Sequence, residues 1–259
     1  MTKKIIGVIP ARMGATRFPN KPLFPLNGMP MLGHVYHRSR LSNRFDKLVV
    51  ATCDREIGDY ISSIGGEFVM TSDLHERATD RTAEAVEIIE EQFHIKFDIV
   101  SMIQGDEPLL QPQMLVDVNE VLVKDDSISV SNLTSKILTI PEQEDPNEVK
   151  VVFDRENNAL YFSREPIPSA KKYGGKMDRY RQLGIISFQR EFLKLYSAME
   201  QTPLEIYESC DMMRVLENGY KIKMVETLHQ TIGVDTPEEA AKVEKLLLSD
   251  SITSLYEGI

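Results

Sequence analysis

The chain has 259 residues, 42% of them apolar and 27% charged, with a formal net charge of −10. That length and composition suffice for a large hydrophobic core without staples, and they exclude disorder and coiled coil. The longest apolar runs, such as 5–11, fall far short of the roughly eighteen residues a membrane helix needs, and an acidic chain is a poor polyanion binder. Neither a membrane span nor nucleic acid is therefore expected.

The average charge hides an exception. Residues 1–40 hold seven basic side chains (Lys3, Lys4, Arg12, Arg17, Lys21, Arg38 and Arg40) and no acidic one, which points to a local anion site near the N-terminal end. Met1-Thr2-Lys3-Lys4 leads directly into an apolar run without the pattern of a secretory signal. Cys53 and Cys210 form no CxxC pair and suit small buried side chains in a reducing compartment, so a cytoplasmic address is expected.

In chain order, 5–9 reads as a strand buried on both faces and ended by Pro10. Residues 10–30 carry five prolines and two glycines, too many breakers for a helix, and are predicted as a loop. Helical spacing resumes over 31–41, with Met31, Val35 and Leu41 inward. Strands at 47–52, 67–70 and 98–103 then alternate with helices at 56–64, 78–92 and 113–123, the rhythm of βαβ crossovers in a doubly wound, mostly parallel sheet. After about residue 126 strands at 128–133, 149–153, 159–163 and 182–188 predominate, which predicts a β-rich, mixed-sheet excursion. Helices at 191–199 and 208–217, a strand at 221–226 and a helix over 237–248 follow, and the residues after Ser249 are expected to fray. No linker or repeat splits the pattern, so 1–259 is predicted to be a single α/β domain, with the excursion at roughly 128–200.

Ligands in open parallel sheets sit outside the carboxyl ends of the strands. The loop after the first strand, PARMGATRFPNKPL at 10–23, offers Arg12, Arg17, Lys21 and a flexible Gly14. It lacks both GxGxxG and the P-loop spacing, so neither a dinucleotide fold nor a Walker NTPase is supported, and a phosphate cradle stands beside a solvated loop as its reading. QGDEP at 104–108 follows an apolar strand and brings Asp106 to the same edge; a carboxylate beside a triphosphate implies a divalent cation between them, whereas a Gly-Asp turn alone would be structural. Asp235-Thr236-Pro237-Glu238-Glu239 reads first as a capping box, with Asp235 as a possible second metal ligand just before the cap. His34 and His37 have no further ligand near in sequence, and a zinc site is not expected.

Four segments in order, PARMGATRFPNKPL, QGDEP, ALYFSREPIP at 159–168 and GVDTPEE at 233–239, resemble the 3-deoxy-manno-octulosonate (Kdo) cytidylyltransferases, also called CMP-Kdo synthetases, over roughly residues 4–248. The resemblance implies a Rossmann-like nucleotidyltransferase fold with a dimerisation and sugar-binding excursion, a homodimer, and the use of CTP and Mg²⁺ to activate an acidic sugar for lipopolysaccharide or surface-glycan synthesis. Carried over residue by residue, it assigns the phosphates to Arg12, Arg17 and Lys21 with Ala11 close to the nucleotide. Cytidine falls to Thr79, Arg81 and Gln104, magnesium to Asp106 and Asp235, and the sugar side to Arg164. On this reading Arg17, Lys21 and Asp106 are the catalytic group.

The sugar side departs from the family pattern. A K/R-H-[IVL]-G-[IL]-Y-x-Y-R segment has become RQLGIISFQ at 181–189, L-E-Q-L-R has become CDMMR at 210–214, and S-G-T-[DE]-R has become RATDR at 77–81. Gln182 and Asp211 thus join the candidate substrate-binding residues. Such swaps retune which hydroxyls a site accepts. An 8-amino-8-deoxy relative of Kdo, whose ammonium would suit Asp211, stands beside ordinary Kdo as acceptor. Another acid sugar such as a nonulosonic acid, or a non-catalytic nucleotide-binding protein, are the remaining alternatives.

Overall fold

The computed structural model describes residues 3–14, 18–173, 175 and 177–256. Two compact units emerge: Met1–Val116 with Thr231–Ile259, and Asp117–Gln230.

The first unit opens with β1 (Ile5–Ala11), a short hairpin of β2 (Pro25–Leu26) and β3 (Met29–Pro30), α1 (Met31–Leu41), β4 (Lys47–Thr52) and α2 (Arg55–Ser63). It continues through β5 (Glu67–Met70), α3 (Ala78–Phe93), β6 (Ile99–Ile103) and the start of α4 (Pro112–Lys124). Its strands lie parallel in the order β6-β1-β4-β5. Every residue of β1 and β6 is buried, as a strand covered on both faces requires. Successive strands run outward from β1 through β4 to β5, whereas β6 returns to the other side of β1. That reversal marks the carboxyl end of β1 as the ligand crevice.

The 10–30 segment holds more structure than the predicted loop. Asn27 and Gly28, both at positive φ (49° and 85°), make the tight two-residue turn that joins β2 to β3, the sequence signal for which is Asn-Gly. A one-turn 3₁₀ helix covers Lys21–Leu23.

In the second unit come β7 (Val130–Lys136), α5 (Ile140–Glu144), β8 (Lys150–Phe153), β9 (Ala159–Ser163), β10 (Tyr180–Gln189) and α6 (Arg190–Ser197). α7 (Pro203–Glu208), α8 (Met212–Glu217) and β11 (Lys223–Thr227) complete it. β7 pairs in parallel with β11 and antiparallel with β10, and β8 pairs antiparallel with both β10 and β9. This is the mixed, β-rich excursion. The helix expected at 208–217 is the shorter α8, which starts only at Met212, and α7 before it was not expected. Pro203 starts α7 early, the Glu205 carboxylate accepts the Thr202 N–H (3.3 Å), and Ser209 in the left-handed region (φ 47°) ends it.

The chain returns to the first unit with α9 (Pro237–Leu247). Phe18, Leu26, Met31, Leu109, Val234, Ala240, Val243 and Leu247 form one buried apolar cluster, which seats α9 against the segment after β1. Residues 250–256 do not fray as expected. Tyr256 is buried, its hydroxyl 3.0 Å from Arg38 Nε and 2.8 Å from His34 Nδ1, with its ring stacked on His37. Arg38 also pairs with Asp250 and donates to Thr253 Oγ1 and the Leu110 carbonyl. Leu41, predicted inward with Met31 and Val35, is only half-buried, at the last position of α1. Among the described residues no helix is long and apolar enough to cross a membrane.

Candidate active site

At the carboxyl edge of the first unit's sheet is a cleft of about 280 Å³ whose lining includes Ala11, Arg12, Lys21, Arg81, Gln104 and Asp106. Ala11 ends β1 and Gln104 follows β6, neighbouring strands, so their loops open on the same edge. Gly105 packs closely there: a Cβ would stand 3.2 Å from Leu32 and 3.3 Å from the Pro10 carbonyl, tighter than ordinary contact.

Lys21 is placed by the short 3₁₀ turn, entered through left-handed Asn20 (φ 59°) and stiffened by Pro22. Its Nζ lies 2.7 Å from Asp106 Oδ2 and 2.9 Å from Asp235 Oδ1. Asp235 is 214 residues away in sequence, and packing brings it there: the apolar cluster holds α9 in place, and the Val234 N–H donates to the Asp106 carbonyl (2.9 Å). Burial alone would lower the Lys21 pKa, but Asp106, by charge and hydrogen bond, and then Asp235 outweigh it and raise it above 10.5. Lys21 is therefore a cation throughout the physiological range.

The capping reading of the 235–239 segment also holds. Thr236 Oγ1 accepts the Glu239 N–H, and Glu239 Oε2 accepts the N–H groups of Thr236 and Asp235. Capping thus falls to Thr236 and Glu239, and the Asp235 carboxylate turns to Lys21. Among the described residues no group of three or more His, Cys, Asp and Glu could cage a metal by itself. Two converging carboxylates are nonetheless a hard-oxygen donor set that fits Mg²⁺, which commonly takes one or two carboxylates and completes its shell with phosphate oxygens and water.

Arg81, on the first turn of α3, is buried; one guanidinium nitrogen donates to Thr71 Oγ1 (2.5 Å) and the Ser72 carbonyl (3.1 Å), and the other, Nη2, has no protein partner. A buried orphan donor lining a cleft calls for a ligand acceptor. Thr79 is fully buried, its hydroxyl 3.7 Å from Met102 Sδ, and does not line the cleft. Arg12 reaches the His75 carbonyl (3.4 Å). Arg17 lies outside the described residues. His75, Glu76 and Arg77 complete the wall; only Arg77 stood out in the sequence, and the position of all three in the β5–α3 turn, at the carboxyl edge, was the available signal.

The sugar-side candidates gather around the α7–α8 turn of the second unit. Arg164 donates to the carbonyls of Glu208 (2.9 Å), Ser209 (3.0 Å) and Pro146 (2.7 Å), so its guanidinium clamps the backbone. Gln182 donates to Asn132 Oδ1 (2.7 Å), and its carbonyl accepts the Cys210 thiol (3.5 Å). Burial, with the neighbouring Asp211 charge, pushes that thiol's pKa up to about 12. Asp211 begins α8. Glu208, which nothing in the sequence singled out, accepts from Tyr161 (3.1 Å), Ser163 (3.0 Å) and the Arg164 N–H (2.9 Å). His34 and His37 belong to the buried contacts of the tail.

A cytidylyltransferase family model matches residues 6–222. The 3-deoxy-manno-octulosonate cytidylyltransferase of Geobacter metallireducens is 41% identical over 254 residues, covering 94% of this chain and 98% of that protein. The mitochondrial 3-deoxy-manno-octulosonate cytidylyltransferase of Arabidopsis thaliana is 40% identical, covering 94% and 83%. A solved CMP:2-keto-3-deoxy-manno-octonic acid synthetase complexed with CTP superposes with a TM-score of 0.85 at 34% identity, covering 95% of this chain and 99% of that one. With a crevice at the reversal of strand order, an orphan guanidinium in it and this similarity along nearly its whole length, the chain belongs to the 3-deoxy-manno-octulosonate cytidylyltransferase family.

Proposed function

We propose that this protein transfers the cytidylyl group of CTP to 3-deoxy-manno-octulosonate, forming CMP-Kdo and pyrophosphate. The observation that carries it is the convergence of Lys21, Asp106 and Asp235 at the edge where the orphan Arg81 donor lines the cleft. A hydroxyl oxygen of the sugar attacks the α-phosphorus, the bond to the bridging oxygen breaks, and pyrophosphate leaves with the electron pair while the hydroxyl proton goes to solvent. No protein nucleophile is required.

Arg12, Arg17 and Lys21 would hold the triphosphate and offset charge on the departing pyrophosphate, a stabilisation that acts where charge develops. Ala11, Arg81 and Gln104 are the nucleoside side of the assignment, and Thr79, which does not line the cleft, drops out of it. Asp106 and Asp235 would hold Mg²⁺, which when bound neutralises phosphate charge as a Lewis acid. Arg164, Gln182 and Asp211 are the acceptor candidates. Since Arg164 is committed to backbone carbonyls, its contribution is to shape the turn that presents Asp211. A homodimer in the cytoplasm completes the reading, supported by family resemblance.

Pyrophosphate release with CTP, Mg²⁺ and a panel of acid sugars tests this. Release with Kdo is expected. A strong preference for the 8-amino-8-deoxy sugar would assign Asp211 to an ammonium, preference for a nonulosonic acid would change the acceptor, and no release with any of them would overturn the catalytic reading.

A further inference from the structure

Lys21 occupies the position between Asp106 and Asp235 that a divalent cation would need. Its ammonium is within 2.9 Å of an oxygen of each carboxylate, and an ammonium and a dication sharing those oxygens would be in close like-charge contact. The Lys21 backbone is held: its N–H is bonded to the Phe18 carbonyl (3.2 Å), and Phe18 and Leu26 on either side are anchored in the apolar cluster. The long, flexible side chain is the part freest to move. It is 13% exposed, so a cation arriving alone would leave a largely buried ammonium without its counter-ions, a strongly unfavourable state. A triphosphate arriving in the same cleft, which Lys21 lines with Arg12 and Arg81, supplies the replacement partner.

We propose that Lys21 is an internal latch: in the nucleotide-free protein it holds the two carboxylates together and keeps divalent cation out, and nucleotide phosphate releases it so that cation and nucleotide enter as a coupled pair. This rests on the assignment of Asp106 and Asp235 to the metal. The coupling is reciprocal, because the same ammonium is exchanged whichever ligand arrives first.

Mn²⁺ binding to the nucleotide-free protein, read by electron paramagnetic resonance, tests the latch. Lys21→Met keeps the apolar stem and removes the charge, and should bind Mn²⁺ about tenfold or more tightly than the unmodified protein, within the roughly 5–150-fold span typical of coupled sites. Equal or weaker binding overturns the latch. Asp106→Asn added to Lys21→Met should abolish the gain; tight binding that persists in the double variant would mean that the cation is held elsewhere, and the metal assignment itself fails. Circular dichroism checks the fold. If Lys21→Met is misfolded, the unmodified protein decides: CTP should bind in EDTA, and Mn²⁺ should bind more weakly to nucleotide-free than to CTP-loaded protein. Equal Mn²⁺ affinity in the two states overturns the proposal.

Discussion

Asp106 and Asp235 differ in how they reach Lys21, and that difference decides what could be read from sequence. Asp106 follows an apolar strand, so its place at the carboxyl edge is a local inference, whereas Asp235 lies beside a capping box that explains its neighbourhood without any ligand. Only packing of α9 on the segment after β1 gives it a partner 214 residues away. If both carboxylates serve the reaction, Asp106→Asn should lower turnover by about 10²–10³, the scale of losing one preorganised electrostatic contact, with the melting temperature nearly unchanged. Near-normal pyrophosphate release would refute the assignment. Arg81 makes a different prediction, because its geometry and not only its charge is used: Thr71, Ser72 and one unfilled direction share a planar fork. Arg81→Lys keeps the charge and loses the fork, and should raise KM for CTP by about tenfold or more, close to 1.4 kcal/mol, with a smaller change in kcat. An unchanged KM would remove Arg81 from the nucleotide site.

At the scale of elements, the alternating strands and helices of the first unit were legible because their apolar periods are clean and the central strands β1 and β6 are buried on both faces. The second unit was less so. The helix expected over 208–217 starts only at Met212, because α7 runs to Glu208 and Ser209, not a residue that announces a left-handed break, interrupts the chain; the two short helices are held by tertiary contacts. Chief among these is Glu205 of α7, fully buried and bidentate to Arg214 of α8 at 2.7 and 2.6 Å, with the guanidinium over the Tyr196 ring. A buried pair is costly to break from one side, since the surviving charge is left without a partner. Arg214→Met should therefore destabilise the protein by about 3–5 kcal/mol, and adding Glu205→Leu should recover a large part of that loss. Chemical denaturation of the two variants checks it, and a double variant no more stable than Arg214→Met would mean that the pair contributes mainly through its neighbours' packing.

Across the whole molecule, the acid-free first 40 residues do supply cations to the cleft, but charge counting alone does not say which of them. Lys21 and Arg12 reach the cleft, whereas Arg38 is buried beneath the C-terminal tail with Asp250, Thr253 and Tyr256. A polar, Ser-rich tail gives no local sign that it docks; its anchor is one aromatic hydroxyl that accepts from Arg38 and donates to His34 Nδ1, while His34 Nε2 donates to the Leu26 carbonyl (3.0 Å). That tautomer is assigned from the bonding pattern. A proton added at Nδ1 would face the hydroxyl hydrogen and add charge beside Arg38. Burial first, then the charges of Arg38 and His37, hold the His34 pKa below its ordinary 6.5, although the bond to Leu26 opposes this, and burial followed by Arg40 does the same for His37. With folded values below the unfolded one, the unfolded chain binds more protons in the window beneath pH 6.5, so stability is full above that pH and falls as pH drops towards the folded values. The unfolding free energy should accordingly decline between pH 7.5 and 5.5, by no more than about 1.4 kcal/mol per pH unit for each histidine, and the melting temperature with it. His34→Gln, neutral throughout, should flatten the decline while leaving the His37 part, and the tail should become more open to carboxypeptidase at low pH in the unmodified protein. A pH dependence identical in His34→Gln would show that tail docking is not linked to this proton.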